Sequence, residues 1–563
     1  MSAHTLTPSV VLDRVSFAWP DGTSALTSIT GAVGAGRTGL VGRNGSGKST
    51  LLRLIARELE PGSGRITTSA DVAYLPQRLT LDVDRPVAEL LGVSGALSAL
   101  RAIEAGDVDP RHFDAVGSDW DVEARSHAAL AEAGLAPDML DRRVGELSGG
   151  EAVLTAVAGI RLRAASVTLL DEPTNNLDRD ARARLADMVR GWRGALIVVS
   201  HDVSLLDLMD DTAELYGSEL SVFGGPYSAW RERLDAEQET ARQAEKTAAQ
   251  AVRREKRQRI EAEHTIAHRQ AMGRKAQVEK RVPPIVAGNL QRAAQVSAGK
   301  LRGEKADREA SARAALDEAG RRVRDDDTIR IDLPDPGVPA GRRIATIGDG
   351  SRSWVIRGPE RVALVGANGV GKTTLLEQLV GVGRPRSAAH PVHNSGWLVE
   401  AADADPGIPG KSVEPSPQNR NCERHTDRIG YLPQRVDGLD EHASVLENVQ
   451  AAASAVPVPE LRNRLARFLI RGAAVDRPVS TLSGGERFRV ALARLLLADP
   501  PPQLIVLDEP TNNLDLDTVD QLVDALAAYR GAVLVVSHDD VFLSRLGIDT
   551  TLELGRDGGI TER

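Results

Sequence analysis

Two octapeptides in this 563-residue chain end a glycine-rich turn with a lysine and a hydroxyl. Gly42-Arg43-Asn44-Gly45-Ser46-Gly47-Lys48-Ser49 and Gly366-Ala367-Asn368-Gly369-Val370-Gly371-Lys372-Thr373 both fit G-x-x-x-x-G-K-[ST]. Each follows an apolar strand-like run and opens a stretch with helical apolar spacing, which is the context a phosphate loop requires. Backbone N–H groups and a helix N-terminus would then surround the β- and γ-phosphates of a nucleotide. Lys48 and Lys372 would neutralise the phosphate oxygens, and Ser49 and Thr373 would hold Mg²⁺. With 52 glycines, one such match arises easily from turn glycines; two matches followed by the same motifs in the same order do not.

Those motifs carry the remaining chemistry. Val167 to Leu170 and Leu504 to Leu507 read as buried strands, and each runs into Asp-Glu-Pro. Asp171 and Asp508 would reach the metal through water, and Glu172 and Glu509 would polarise an attacking water. Adjacent acidic residues at a strand end are also ordinary helix caps, but here Pro-Thr-Asn-Asn-Leu-Asp follows both pairs. His201 and His538 each end an apolar run, 29 positions after Glu172 and Glu509. A lone histidine there is usually structural; twin placement points to a γ-phosphate contact.

The chain is therefore a tandem duplication. Tyr74-Leu75-Pro76-Gln77 and Leu147-Ser148-Gly149-Gly150-Glu151 return as Tyr431-Leu432-Pro433-Gln434 and Leu482-Ser483-Gly484-Gly485-Glu486. Strands and helices must alternate around these loops, which predicts an α/β fold with two similar domains. The copies differ in spacing. Lys48 to Gln77 is 29 positions and Lys372 to Gln434 is 62; the excess falls in residues 383–427, rich in Pro, Ser, His, Asn and Asp, and reads as a disordered insert. Gln77 to Ser148 is 71 positions against 49 from Gln434 to Ser483, so the first copy carries extra helical sequence around 93–121.

Leu-Ser-Gly-Gly-Glu ahead of an Asp-Glu strand resembles the signature of ATP-binding-cassette ATPases, and the resemblance covers both halves. It implies two tandem nucleotide-binding domains closing head to tail on two ATP and two Mg²⁺. Site one would comprise Gly42, Asn44, Gly45, Gly47, Lys48, Ser49, Thr50, Gln77, Asp171, Glu172 and His201, closed by Ser483, Gly484 and Gly485. Site two would comprise Gly366, Asn368, Gly369, Gly371, Lys372, Thr373, Thr374, Gln434, Asp508, Glu509 and His538, closed by Ser148, Gly149 and Gly150. Gln77 and Gln434 would join the metal shells, and Trp19 would stack on adenine. Two departures fall on site two. No residue matches Trp19, since Trp354 lies in a different context. Ala152-Val153-Leu154 also stands where the other copy has Arg487-Phe488-Arg489.

Composition excludes several classes. A single cysteine, Cys422, rules out a disulfide framework and thiolate metal sites. The N-terminus has no secretory pattern and no apolar run reaches the length of a bilayer span, so a soluble, cytoplasmic protein is expected. Aromatic residues are only 3%, so the cores must be built from Val, Leu, Ile and Ala.

The net charge of −9 conceals an asymmetry: residues 235–325 hold 21 basic and 14 acidic side chains, leaving the rest at −16. This stretch reads as a helical hairpin interrupted at Arg281-Val282-Pro283-Pro284. Its positive excess is concentrated toward the tip, where Arg253, Arg254, Arg257, Arg274, Lys275, Lys280, Arg281 and Arg292 are candidates for RNA contact. A solvated coiled-coil spacer is the plain alternative. The expected domains are residues 1–234, the linker 235–325, and residues 326–563.

Two cassettes, no membrane segment, and a charged linker after Phe223-Gly224-Gly225-Pro226-Tyr227-Ser228 resemble the ABC-F proteins. That resemblance implies a monomeric ATPase with an intramolecular cassette pair. It would bind the ribosome near 23S rRNA and the P-site tRNA and push its hairpin toward the peptidyl-transferase centre and exit tunnel. Trp120-Asp121 and Arg292-Ala293-Ala294-Gln295 are similar to the branch that protects ribosomes from macrolide, lincosamide and streptogramin antibiotics. A general translation factor and the ATPase subunit of a drug exporter are the alternatives. A DNA-repair ATPase fits less well, lacking zinc cysteines or a far longer coiled coil.

Overall fold

A computed structural model describes residues 9–69, 71–77, 79, 83–175, 177–278, 284–324, 333–381, 421–436, 438–512 and 514–563. The chain divides into two compact units, Met1–Tyr227 together with Thr328–Arg563, and Ser228–Asp327. Both cassettes thus fall in one unit, and the linker unit begins seven residues before the expected boundary at 235.

In the first cassette the strands are β1 (Val10–Ala18), β2 (Ser24–Val33), β3 (Arg37–Val41), β4 (Ser63–Thr68), β5 (Val72–Leu75), β6 (Val167–Asp171), β7 (Ala195–Val199), β8 (Asp211–Tyr216) and β9 (Glu219–Gly224). In the second they are β10 (Arg343–Gly348), β11 (Ser353–Arg357), β12 (Arg361–Val365), β13 (Asn421–Arg424), β14 (Ile429–Leu432), β15 (Leu504–Asp508), β16 (Ala532–Val536), β17 (Thr550–Leu554) and β18 (Ile560–Glu562). The main sheets run β5-β6-β7-β3-β8-β9 and β14-β15-β16-β12-β17-β18, and the small antiparallel sheets β2-β1-β4 and β11-β10-β13. The duplication therefore extends to strand order. Each main sheet is parallel except for its last strand.

Every residue of β6, β7, β15 and β16 is buried, which explains why they are almost wholly Val, Leu, Ile and Ala ahead of the terminal aspartates of β6 and β15, with Thr168 the one polar residue inside a run: a parallel strand covered on both faces has no polar side to alternate with. The cores are aliphatic as the composition requires, with Phe468 and Phe542 the largest fully buried side chains. The three central strands also fix where the chemistry sits. β6 delivers Asp171 and Glu172, β7 leads to His201, and β3 leads into the first phosphate loop, all at the carboxyl edge of one sheet.

The extra sequence of the first cassette folds as two helices, Ser94–Glu104 and Pro110–Val116, absent from the second cassette between Val445–Gln450 and Val458–Arg467. Asp109 caps the second of them with Pro110 at its first position. The expected disordered insert lies mainly outside the described residues. Its end differs from expectation: Asn421–Arg424 is β13, paired with β10, and Arg424 Nη1 donates to Val380 O at 3.3 Å. A four-residue strand with one apolar side chain carries no alternation to recognise, and only its partner strand defines it.

The other unit is a pair of helices, Tyr227–Val278 and Pro284–Gly320. At 52 and 37 residues they extend about 78 and about 55 Å at 1.5 Å per residue. Gln238 bonds Arg324 N, whereas further along the first helix Gln258 bonds Lys305 and Arg259 pairs with Glu309, so the partners move back along the chain from 324 to 305–309 and the pair is antiparallel. Glu309 is buried between Arg259 and Arg313, and Ile266 and Ala298 are buried nearer the tip. Gly299 and Gly303 lie inside the second helix without breaking it. Arg253, Arg254, Arg257, Lys275 and Arg292 are exposed. Lys280 and Arg281 lie outside the described residues, as does the side chain of Arg274. Among the described residues no helix is long and apolar enough to cross a membrane.

Candidate nucleotide sites

Both phosphate loops are built alike. Lys48 and Lys372 are the first residues of helices Lys48–Ile55 and Lys372–Val380, whose N-caps, Gly47 and Gly371, are left-handed at φ 95° and 93°. A Cβ at Gly47 would lie 2.6 Å from Leu26 Cδ2 and 2.9 Å from Ala25 O, so no other residue fits there. Lys48 Nζ donates to Gly42 O at 2.6 Å and Arg43 O at 3.0 Å; Lys372 Nζ donates to Gly366 O at 2.7 Å and Ala367 O at 3.0 Å. Both ammonium groups are buried, and burial lowers their pKa against the opposing pull of Glu172 and Glu509.

The carboxylates stand beside them. Ser49 Oγ donates to Asp171 Oδ1 at 3.1 Å and Tyr74 OH to Asp171 Oδ2 at 3.3 Å. Thr373 hydrogen-bonds Asp508, whose Oδ2 is buried without a hydrogen-bond partner. Burial raises the pKa of both aspartates. Glu172 and Glu509 adopt the left-handed backbone at φ 51° and 47°, rare for a residue with a side chain and a conformation costing about 1–3 kcal/mol. Glu172 N donates to Val199 O and Glu509 N to Val536 O, both at 2.8 Å, holding the strain in place.

The two sites diverge at the histidines. His201 Nε2 lies 3.0 Å from Glu172 Oε1. His538 Nε2 instead lies 2.9 Å from Lys372 Nζ and 3.1 Å from Asn368 Oδ1, with Glu509 Oε1 at 3.4 Å. Burial, Lys372 and Arg182 push the His538 imidazole down to about 3, so it is neutral and accepts from Lys372. Burial raises the Glu509 carboxyl to about 7, against the pull of Lys372 and Arg182.

Contacts between the cassettes join each site to the other half. Asn44 N donates to Asp515 Oδ2 at 2.7 Å, and Asn368 N to Asp178 Oδ2 at 3.2 Å. Each aspartate also caps its own helix, Asp515 through Thr518 N at 2.9 Å and Asp178 through Ala181 N at 3.0 Å. Arg179 pairs with Asp540 across the same boundary. These aspartates end the doubled Asn-Asn-Leu-Asp and were not among the expected site residues. Their signal was the identical repeat directly before a helical pattern, where Asp is a preferred cap.

The structure gathers most of the expected residues. A cavity of about 390 Å³ beside Lys372 includes Asn368, Gly369, Gly371, Thr373, Thr374, Gln434, Asp508, Glu509 and His538. A second of about 910 Å³ brings Gln77 together with Gly484 of the opposite cassette. Ser148 and Ser483 cap helices Gly149–Arg163 and Gly484–Leu496 in full capping boxes with Glu151 and Glu486. Ser148, Gly149 and Gly150 do not line the cavity beside Lys372. Trp19 packs edge-on against Phe17 at 5.1 Å with Arg53 over its ring at 5.9 Å, and Trp354 sits in β11 opposite Ile347.

The donor sets fit Mg²⁺ with a nucleotide. Hydroxyl and carboxylate oxygens converge at Ser49/Asp171 and Thr373/Asp508, and Asp508 Oδ2 is an unspent acceptor. Among the described residues no three His, Cys, Asp or Glu cluster as a metal cage. Mg²⁺ binds through one or two protein oxygens plus substrate phosphates and needs no such cage.

Residues 26–175 and 351–512 match the ABC transporter family model. The chain is 30% identical over 565 residues to the tylosin resistance ATP-binding protein TlrC of Streptomyces fradiae, covering 92% of this chain and 93% of that one. The chain is an ABC-F protein. It is also 28% identical over 568 residues to the energy-dependent translational throttle protein EttA of Haemophilus influenzae, covering 93% of this chain and 88% of that one. An archaeal ribosome recycling factor, solved with ribosomal stalk protein aP1, superposes at a TM-score of 0.52 over 98% of this chain and 89% of that one. At 19% identity that likeness speaks for the fold alone. This ABC-F chain is an ATPase that uses ATP with Mg²⁺.

Proposed function

We propose that this ATPase binds the ribosome and acts on the peptidyl-transferase and exit-tunnel region through its helical pair, conferring resistance to macrolide-type antibiotics. The observation that carries this reading is the pair itself, antiparallel and presenting Arg253, Arg254, Arg257, Lys275 and Arg292 to solvent. Exposed cations spaced along a helix suit the phosphate backbone of structured RNA. Similarity to a tylosin resistance protein over nearly the full length of both chains supports the choice of antibiotic. The protein would work in the cytoplasm.

In each site the phosphate-loop lysine binds the β- and γ-phosphates. Ser49 with Asp171, and Thr373 with Asp508, would hold Mg²⁺, joined by Gln77 and Gln434; the ion supplies charge neutralisation on the phosphates. Glu172 and Glu509 accept a proton from the attacking water, and their strained backbone fixes the carboxylate direction. His201 and His538 face the γ-phosphate. Ser483–Gly485 and Ser148–Gly150 close sites one and two from the opposite cassette, and Trp19 supports adenine in site one. ATP binding closes the cassettes and stabilises the ribosome-bound state; hydrolysis releases it.

Replacing Glu172 and Glu509 together by Gln should trap an ATP-bound protein that cosediments with ribosomes. Recovery of the double variant only in the ribosome-free fraction refutes the ribosomal reading. Similarity to the translational throttle protein favours a second reading, a general translation factor. A cell-free translation reaction stalled by tylosin separates the two: recovery on adding protein and ATP supports resistance, and no recovery with any macrolide leaves the general factor.

A further inference from the structure

The two sites receive different side chains from the opposite cassette. The cavity beside Lys372 is lined by Leu177 and Arg182 of the first cassette as well as by its own loop. Arg182 lies in helix Arg179–Arg190, one turn beyond the capping Asp178. It is largely buried, with Nε donating to Leu177 O at 3.1 Å and Nη1 3.4 Å from Asp202 Oδ2. Nη2 takes no part in either bond. The guanidinium charge acts on Glu509, His538 and Asp539, all of the second cassette.

Site one has no arginine at the matching position. Aligning the capping aspartates, Asp178 with Asp515, places Val519 where the first cassette has Arg182, and Val519 is buried in the apolar core of its own cassette. Arg179 likewise corresponds to Leu516. The signature helices are unequal in the opposite sense. The one closing site one carries Arg487 and Arg489, whereas the one facing site two has Ala152 and Leu154 at those positions. Site two therefore has fewer cations on its signature helix and, at these two positions of the neighbouring capped helix, two more.

We propose that Arg182 is a nucleotide-binding residue of site two, supplied in trans by the first cassette, and that it contacts the terminal phosphate of ATP. A guanidinium presents a planar fork that matches two phosphate oxygens, and its partial burial beside Lys372 strengthens that interaction over one in open water. The consequence is selectivity. Arg182 reads the γ-phosphate, so it raises affinity for ATP over ADP at site two and has no effect at site one. The proposal rests on the reading that site two binds ATP.

The test uses the full-length chain with Lys48→Ala, which leaves site two as the binding site, and calorimetry with ADP and a non-hydrolysable ATP analogue. R182A should weaken analogue binding about 10-fold or more while ADP affinity stays within twofold, consistent with loss of one charge-assisted phosphate contact. In a Lys372→Ala background R182A should change neither. R182Q keeps the stem and a donor to Leu177 O, and replaces R182A in the same titrations if that variant does not fold: analogue-selective loss supports the proposal, and parent-level affinity overturns it. Equal losses for analogue and ADP also overturn it, since they assign Arg182 to general packing. Absence of analogue binding by Lys48→Ala with Arg182 intact instead refutes ATP binding at site two.

Discussion

Asp515 performs two tasks that one substitution can separate. Its Oδ1 accepts Thr518 N–H at 2.9 Å and caps the helix that follows, while Oδ2 accepts Asn44 N–H at 2.7 Å from the opposite phosphate loop. The carboxylate is buried; burial opposes ionisation, but the bonds from Asn44 and Thr518 hold its pKa below the ordinary range. Asparagine caps a helix as well as aspartate does. In Asp515→Asn the amide oxygen keeps the cap, and the amide nitrogen then faces the N–H of Asn44, donor against donor. Losing that acceptor from a part-buried N–H and setting a second donor against it costs about 1–3 kcal/mol, a factor of roughly 5 to 150 in the equilibrium that joins the cassettes. In a Glu509→Gln background, where Glu172 alone supports turnover, kcat/KM for ATP should fall by a factor in that range with little change in Tm. The mirror contact from Asn368 to Asp178 is longer, 3.2 Å, and its carboxylate is only half-buried, so D178N in a Glu172→Gln background should lose less. Parent-level kcat/KM in D515N, or an equal loss in D178N, refutes the reasoning.

In Glu172→Gln, with site two alone active, kcat/KM should rise between pH 6 and 8, because the Glu509 carboxyl titrates at about 7 and only its ionised form accepts a proton; a flat profile refutes this. The same raised pKa stabilises the fold fully below about 4.5, a contribution lost as pH rises through about 7, so Glu509→Gln should flatten the corresponding decline in Tm. Gly47→Ala must adopt φ near 95° and meet Ala25 O, and should cost about 1–3 kcal/mol and abolish nucleotide binding at site one, measured by melting and calorimetry. Phe468→Ala empties a fully buried position and should destabilise by about 3–5 kcal/mol in denaturant titrations while leaving both phosphate loops intact.

What could be read from the chain in advance followed from repetition and burial. Fully buried parallel strands print themselves as mainly apolar runs without alternation, so β6, despite Thr168, and β15 were visible together with the carboxylates at their ends. Loop chemistry was equally plain, because only glycine tolerates the backbone at positions such as Gly47. The helical pair was marked by charge and by the Pro283-Pro284 break, and its described helices end at Val278 and begin at Pro284. Contacts that depend on the other cassette were hidden. Asp178 and Asp515 look like ordinary helix caps, and nothing local distinguishes Arg182 from any exposed helix arginine. The differing partners of His201 and His538 were hidden for the same reason: the residues are identical and only their surroundings differ. β13 escaped notice because its pairing, not its pattern, makes it a strand.

The common strand order of the two cassettes has an evolutionary corollary. Were the halves separate copies of one gene product, any substitution would appear in both sites at once, and a change useful in one would be imposed on the other. Joined in a single chain, they mutate independently, so arginine can occupy position 182 while valine occupies 519. Gene fusion thus permits a division of labour that a homodimer cannot encode, with one compartment free to retain its nucleotide while its neighbour keeps turning over.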